Sequence, residues 1–570
     1  MLDFACEMKP SRAVSGAPTD APTQTPQEIV AAIEAFVAEH PKTAVVEDGG
    51  VLFEMGRAQY TLTDAHGRCT LHLWDDQRNI VRTISAATER SSGLRLITRR
   101  FGQTRPGSLE LLADRERRTP VGRETARTRY LRLLERVLVR GAGIDWGDWK
   151  PERFRTAMDL EKSFGPAYAR GSLTQGQHAW AVIGVNREEA PALVDGILTV
   201  GVLWLHECRE NAGGKRLYRG LRIIVPKGMG TLTASRLAWM NQQAAQWELW
   251  ELDERTEELQ RRDPADHGNL TTRLVQAPDQ AAVRERFHDS TRRVLALAPD
   301  VMRNQIEIRV RSAAEVAFLL HGLEFARIRG GYSGQSFNRI DEITVGAGEH
   351  ETLLTSRNAG ELRELIAELF ERRRAIRSAG QGIGANRIRP LKEPAAARDP
   401  LYRMQPERWL ESVLRRDVAA LDERLDPAHV YTQVPAFAAS DRGMLDLLGV
   451  DLTGRLAVIE LKADEDLHLV LQGLDYWVRV RWHHMHSADA TGLGEFQRYG
   501  YFTGLRLSAE APRLYLVAPA LRVHPATEIV LRYLSPRVQW ELIALDERWR
   551  EQVRIVWRKH SQSGRPAGIP

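Results

Sequence analysis

The stretch VIELKADEDLHLVLQGLDYW, Val458 to Trp477, decides how the C-terminal part of this chain folds. It begins as a continuous apolar run and reaches Glu460-Leu461-Lys462 where that run ends. Side chains alternate faces along a strand, so Glu460 and Lys462 project to the side of Val458. Leu461 projects to the other side, with Ala457 and Ile459. The preceding segment, MLDLLGVDLTGRLA, reads as another apolar strand carrying one acid, Asp446, followed by a turn at Asp451–Arg455. A hairpin of the two brings Asp446 opposite Glu460.

Two carboxylates at such a junction supply hard oxygen ligands for a divalent cation, Mg²⁺ or Mn²⁺. A bound cation neutralises phosphodiester charge and acidifies a bound water, and an adjacent ammonium holds that water or stabilises the transition state. The helix that follows, LHLVLQGLDYWVRVRWHH, puts Gln472 and Tyr476 four residues apart and so on one face. Upstream, PERWLESVLRRDV reads as a helix carrying Glu411. In this order the elements resemble the PD-(D/E)XK nuclease superfamily, the restriction-endonuclease-like fold. Gln472 to Tyr476 is similar to the Gln-x-x-x-Tyr motif of its RecB-like branch, and GMLDLLGVDLTGRLAVIELK is similar to the NucS-like catalytic domain. The resemblance covers residues 403 to 500 at its sharpest. It implies that Asp446 and Glu460 are metal ligands, that Leu461 lends its carbonyl to the metal, and that Lys462 positions or activates water. It also implies that Gln472 and Tyr476 orient the site and that Glu411 is an auxiliary acid. Leu445 stands where the motif's proline would be.

The whole chain has 570 residues, with 43% hydrophobic and 27% charged residues, which suits several globular domains rather than one core. The net charge of +5 makes a polyanion partner plausible without demanding one. Cys6, Cys69 and Cys208 are too few and too far apart for a disulfide framework or a zinc site, so a cytoplasmic location is expected. No apolar run has the length of a membrane span, and no membrane partner is expected.

Domains are expected as follows: a disordered tail, 1–26; a small β-rich domain, 27–120; a degenerate nuclease-like domain, 123–262; a mixed, Arg-rich connecting region, 263–378; a linker, 379–402; the nuclease-like domain, 403–558; and a second disordered tail, 559–570. The first helix is expected to start in a capping box, with Thr25 as N-cap, Pro26 in the first turn and Glu28 reaching back. GQGIGA in the linker has no strand before it and so lacks the context of a dinucleotide loop.

The degenerate domain is inferred from a repeat. RLLERVLVR (132–140) matches WLESVLRR (409–416), with Glu135 at Glu411. AVIGVN matches AVIELK, with Ile183 at Ile459. LVDGILTVGVLWLH, LRIIVPKG and QWELWELDER match LVLQGLDYWVRVRW, LYLVAPAL and QWELIALDER in the same order. This pairing puts Gly184 at Glu460, Asn186 at Lys462, Thr174 at Asp446 and Asp195 at Gln472, so the first copy lacks the acids. A displaced site using Asp159 and Glu161 is the alternative. The expected architecture is therefore α/β: tandem restriction-endonuclease-like domains, each a central mixed sheet flanked by helices, behind a β-rich domain.

The expected function is Mg²⁺-dependent DNA cleavage in repair, recombination or defence. A non-catalytic nucleic-acid scaffold and an RNA nuclease remain open. No Walker loop is present, so unwinding would need a helicase or similar partner, and a homodimer also remains open. Arg95, Arg99 and Arg100, and the helix with Arg372, Arg373, Arg374 and Arg377, are candidate phosphate contacts or plain solvated positions. His483, His484 and His486 read as a basic or surface helix end rather than a zinc site.

Overall fold

The computed structural model describes residues 24–41, 43–47, 50–55, 58–64, 69–75, 79–90, 93–99, 107–113, 120–141, 149–159, 161–264, 273–332, 339–346, 351–373, 399–438, 441–485 and 494–561. Cys6, Arg100, Arg374, Arg377, His486, GQGIGA and nearly all of both expected tails and of the linker lie outside them. The chain is mixed α/β and divides into two compact units, Met1–Leu134 with Asn186–Ala190, and Glu135–Val185 with Pro191–Pro570.

In the first unit, the helix Pro26–Glu39 starts in the expected capping box. Thr25 Oγ1 accepts from the Glu28 amide, and a Glu28 carboxylate oxygen accepts from the Thr25 amide at 2.8 Å. Its Ile29 and Ile33 pack on a seven-stranded antiparallel sheet. The strand Cys69–Trp74 alternates as half-buried strands do, with Cys69, Leu71 and Leu73 in the core. Arg95 is half-buried, opposite Thr88 and Glu110.

The second unit holds two sheets of matching topology. The first runs Glu258–Arg262, Gln246–Asp253, Leu217–Pro226, His178–Val185, Tyr168–Gln175, Lys150–Arg155. The second runs Ile555–His560, Trp540–Leu545, Arg513–Pro519, Leu456–Leu461, Asp441–Val450, Tyr431–Ala438, with Arg273–Leu274 added at its edge. Neighbours in both pair antiparallel, parallel, parallel, antiparallel and antiparallel in turn. Each parallel pair needs a crossover. Pro191–Glu210 and Leu469–Met485 supply the first, and Thr231–Leu237 and Thr527–Arg532 the second. Pro191–Glu210 is apolar and long enough to cross a membrane, but most of it is buried inside this unit.

The two copies share one core, in which Ile197, Leu205 and Leu237 of the first meet Leu474, Trp477 and Leu531 of the second. Their seam is isologous. The Asn241 amide donates to the Tyr533 carbonyl and the Ser535 amide to the Trp239 carbonyl, both at 2.8 Å, around a bridge of Met240 with Leu534. Arg481 lies over Trp239 at 4.7 Å, and Arg209 over Tyr533 at 5.8 Å. Each contact thus has a mate with the copies exchanged, the signature of a two-fold axis. An ion pair without a mate joins Arg236 to Asp475 at 2.6 Å, with both side chains largely buried. Arg236→Met, Asp475→Leu and the double variant, compared by denaturant unfolding, are expected to give a coupling energy of about 1–3 kcal/mol.

Between the copies in sequence, a five-stranded antiparallel sheet, Ile306 to Leu353, packs against the helix Ala359–Arg372 through Phe318, Phe325 and Phe370. On its basic helix Arg372 is an exposed, ion-paired position, as the solvated alternative has it, and the reading of Arg373 is corrected. Arg372 pairs with Glu368 at 2.5 Å. Arg373 is not on an exposed face: it is fully buried and donates to the carbonyls of Leu320, His321, Leu401 and Met404. Lining up four carbonyls around one guanidinium ties the connecting region to the segment leading into the C-terminal copy. His483 is likewise not on the surface. It is buried, with Nδ1 2.9 Å from a Glu495 carboxylate oxygen, while His484 bonds the Ser508 carbonyl.

Candidate active site

The hairpin Asp441–Val450 with Leu456–Leu461 has the register Leu447↔Ile459 and Leu448↔Val458, so Asp446 comes opposite Glu460. Ala457, Ile459 and Leu461 face one core with Trp409, and Val458 faces the other. The Leu461 amide donates to Asp446 Oδ2 at 3.0 Å, so a carboxylate takes up this amide just past the Leu447↔Ile459 pair. The aspartate is thereby fixed by the backbone of the strand that carries its partner acid.

Glu460 is 2% exposed, and its Oε2 has no hydrogen-bond partner. The Lys462 ammonium lies 3.5 Å from Glu460, 3.6 Å from Asp466 and 3.8 Å from Glu407. Burial pushes the Asp446 carboxyl up to about 6, with nearby Glu411 adding to the shift and the Leu461 amide, Lys462 and Arg408 opposing it. Burial, reinforced by Asp446, raises Glu460 well above the usual carboxylate range. Burial works against the charge of Lys462, but Glu460, Glu407, Asp466 and Asp446 outweigh it, so its pKa is raised.

The helix Leu469–Met485 covers this corner. It comes close at Gly473, where a Cβ would lie 2.6 Å from Leu516 Cδ2 and 3.5 Å from Glu460 Cβ. Gln472 is next to this contact, and its Oε1 is buried with no hydrogen-bond partner. Burial, then Glu460 and Asp446, raise the Tyr476 phenol and keep it protonated. The orphaned Glu460 and Gln472 oxygens are both acceptors, and the carboxyls are held off their ordinary ionisation. A divalent cation meets both conditions, so the residues present fit one. Among the described residues no three His, Cys, Asp or Glu side chains gather as a metal site. The two carboxylates would leave the rest of a Mg²⁺ shell to carbonyl oxygen and water.

Glu411 is 1% exposed, close enough to raise Asp446, and held in ion pairs by Arg309 at 3.1 Å and Arg408 at 2.8 Å. Arg309 also pairs with buried Glu307, which accepts from Ser412 and pairs with Arg415. Sequence reasoning missed this network because Arg309 lies in a different domain.

Strand register corrects the residue pairing of the two copies. Trp247 and Trp540 sit in the shared QWEL segments, opposite Leu221 and Leu514. One strand inward, Ile223 pairs with Ile183 and Leu516 with Glu460. Ile183, not Gly184, therefore holds the place of Glu460, and Val185, not Asn186, that of Lys462. Arg170 pairs with Ile183 and so holds the place of Asp446, while Thr174 lies opposite Ala179. In the helix, a Cβ on Gly201 would meet Leu221 and Ile183 as one on Gly473 meets Leu514 and Glu460. Val200 and Trp204 then replace Gln472 and Tyr476, and Asp195 is elsewhere, its carbonyl accepting from Arg236. Of the alternative acids, Asp159 accepts from the Lys162 amide in its own turn and Glu161 is exposed. Comparisons with protein-family models, curated proteins and solved structures found no match.

The buried acids set a pH dependence. Asp446 rises from 3.8 to about 6 in the fold, so between those values the native state binds more protons than the unfolded state. Its contribution to stability is greatest at low pH and is lost as pH rises through about 6. Glu460 acts in the same direction. Glu460→Gln is therefore expected to stabilise the metal-free protein at pH 8 by about 1–3 kcal/mol, with the gain shrinking toward pH 5. Thermal unfolding across this range, in EDTA, checks it.

Proposed function

We propose that this chain is a Mg²⁺- or Mn²⁺-dependent DNA nuclease whose C-terminal copy is of the PD-(D/E)XK, restriction-endonuclease-like type, acting in repair, recombination or defence. One observation carries the reading: a buried carboxylate, Glu460, with an orphaned oxygen lies opposite a second, partly buried one, Asp446, beside a largely enclosed ammonium at the end of a central strand. Such a set is costly to fold and is retained where a cation and a phosphate are handled. Asp446 and Glu460 would hold the cation, which when bound neutralises phosphate charge and supplies a water of lowered pKa. Lys462, kept protonated by the acids around it, is a fixed donor to that water or to a phosphate oxygen. Gln472 and Tyr476 orient groups at the same corner. Glu411, held in ion pairs, acts on the field at Asp446 rather than as a ligand.

The test is cleavage of labelled single-stranded, double-stranded and forked DNA, and of RNA, with Mg²⁺, Mn²⁺ or EDTA. Cleavage of DNA that needs metal and stops in Glu460→Gln supports the reading. Cleavage confined to RNA would replace its substrate, and binding without cleavage in any metal would sink it in favour of a scaffold.

A further inference from the structure

The isologous seam relates two corners of opposite character. One has Asp446, Glu460, Lys462, Gln472 and Tyr476; the other has Arg170, Ile183, Val185, Val200 and Trp204 in the same places. Arg170 is 1% exposed, its guanidinium 4.4 Å from the ring of Phe164 and 5.8 Å from that of Trp204. A fixed positive charge thus occupies the position of a ligand acid. With no carboxylate at Ile183, this corner repels a divalent cation and offers it nothing to bind.

We infer that the protein nicks duplex DNA, cutting one strand per binding event. This rests on the nuclease reading above. The strands of a duplex are related by two-fold axes across it, so a two-fold pair of domains presents equivalent faces to the two strands. Here only one face can react. At that face a water oxygen forms a bond to phosphorus, the bond from phosphorus to one ester oxygen breaks, and the leaving oxygen takes up a proton. One strand then carries a phosphate and a hydroxyl at the break, and its complement stays whole. The first copy contributes the matching half of the duplex-binding surface and not a second cut.

The experiment uses the full chain on a supercoiled closed-circular plasmid and, in parallel, a single-stranded circle, with Mg²⁺ or Mn²⁺ and a range of enzyme concentrations. Open-circular plasmid is expected to accumulate until the supercoiled form is consumed, at a rate first order in enzyme, with linear DNA arising only from chance later nicks. Lys462→Ala should abolish the conversion. Linear DNA produced in the same phase as the loss of supercoil, or a rate rising with the square of enzyme concentration, would overturn one-strand cutting while leaving the nuclease reading intact. Cutting of the single-stranded circle alone would overturn the duplex substrate. No cutting of either circle would overturn one-strand cutting of a duplex, and the nuclease reading would then rest on the linear and forked substrates above.

Discussion

Lys462→Ala is expected to slow metal-dependent DNA cleavage by at least ~10²-fold under single-turnover conditions, the cost typical of removing one fixed donor from a developing charge. The ammonium is almost fully enclosed, with acids on three sides within 3.8 Å. Its removal also leaves Asp446 and Glu460 without their nearest cation, which raises both carboxyls further and weakens metal binding at neutral pH. Raising Mg²⁺ or pH should therefore recover part of the loss in Lys462→Ala, but not the part due to the missing donor. Lys462→Arg tests geometry: a planar fork in a pocket shaped for a compact ammonium is expected to recover metal binding more than cleavage. A rate for Lys462→Ala within a few-fold of wild type would place the chemistry elsewhere.

Arg309→Met is expected to destabilise the second unit by about 3 kcal/mol, the lower end of the cost of breaking a buried pair, because Arg408 and Arg415 still face Glu411 and Glu307. Arg309 stands between Glu307 and Glu411, both nearly inaccessible to water. Methionine fills similar volume, so the loss is of charge rather than of packing. Adding Glu411→Gln to Arg309→Met should restore part of the stability, because one of the two carboxylates that lost a shared cation disappears. Denaturant unfolding of the four variants measures this. Glu411→Gln alone should keep most cleavage activity, which separates it from Glu460→Gln.

The hairpin, the two-faced central strand and the covering helix were legible in the sequence because each follows from a local period. An alternation of two put Glu460 and Lys462 together, and a spacing of four put Gln472 near Tyr476. The repeat was legible too, but its register was not. AVIGVN and AVIELK share Ala-Val-Ile, and matching those letters displaces the strand by one residue. A one-residue slip exchanges the faces of a strand, so it conceals Arg170 and Ile183 at the corner. Only the hydrogen-bonded register counted from Trp247 and Trp540 corrects it. Arg373 was misread, and the Arg309 partner of Glu411 went unseen, for another reason: these partners lie far along the chain, and nothing local announces them.

The two amide-to-carbonyl bonds at Asn241 and Ser535 belong to the main chain, so neither depends on which side chains stand there. Sequence drift can rewrite the surfaces on both sides and leave these bonds in place. The same contacts suit two separate, identical polypeptides as well as two halves of one. A single-copy ancestor that paired with itself in this way, and whose gene was later joined end to end, would free one half to lose its acids while keeping its grip on the other.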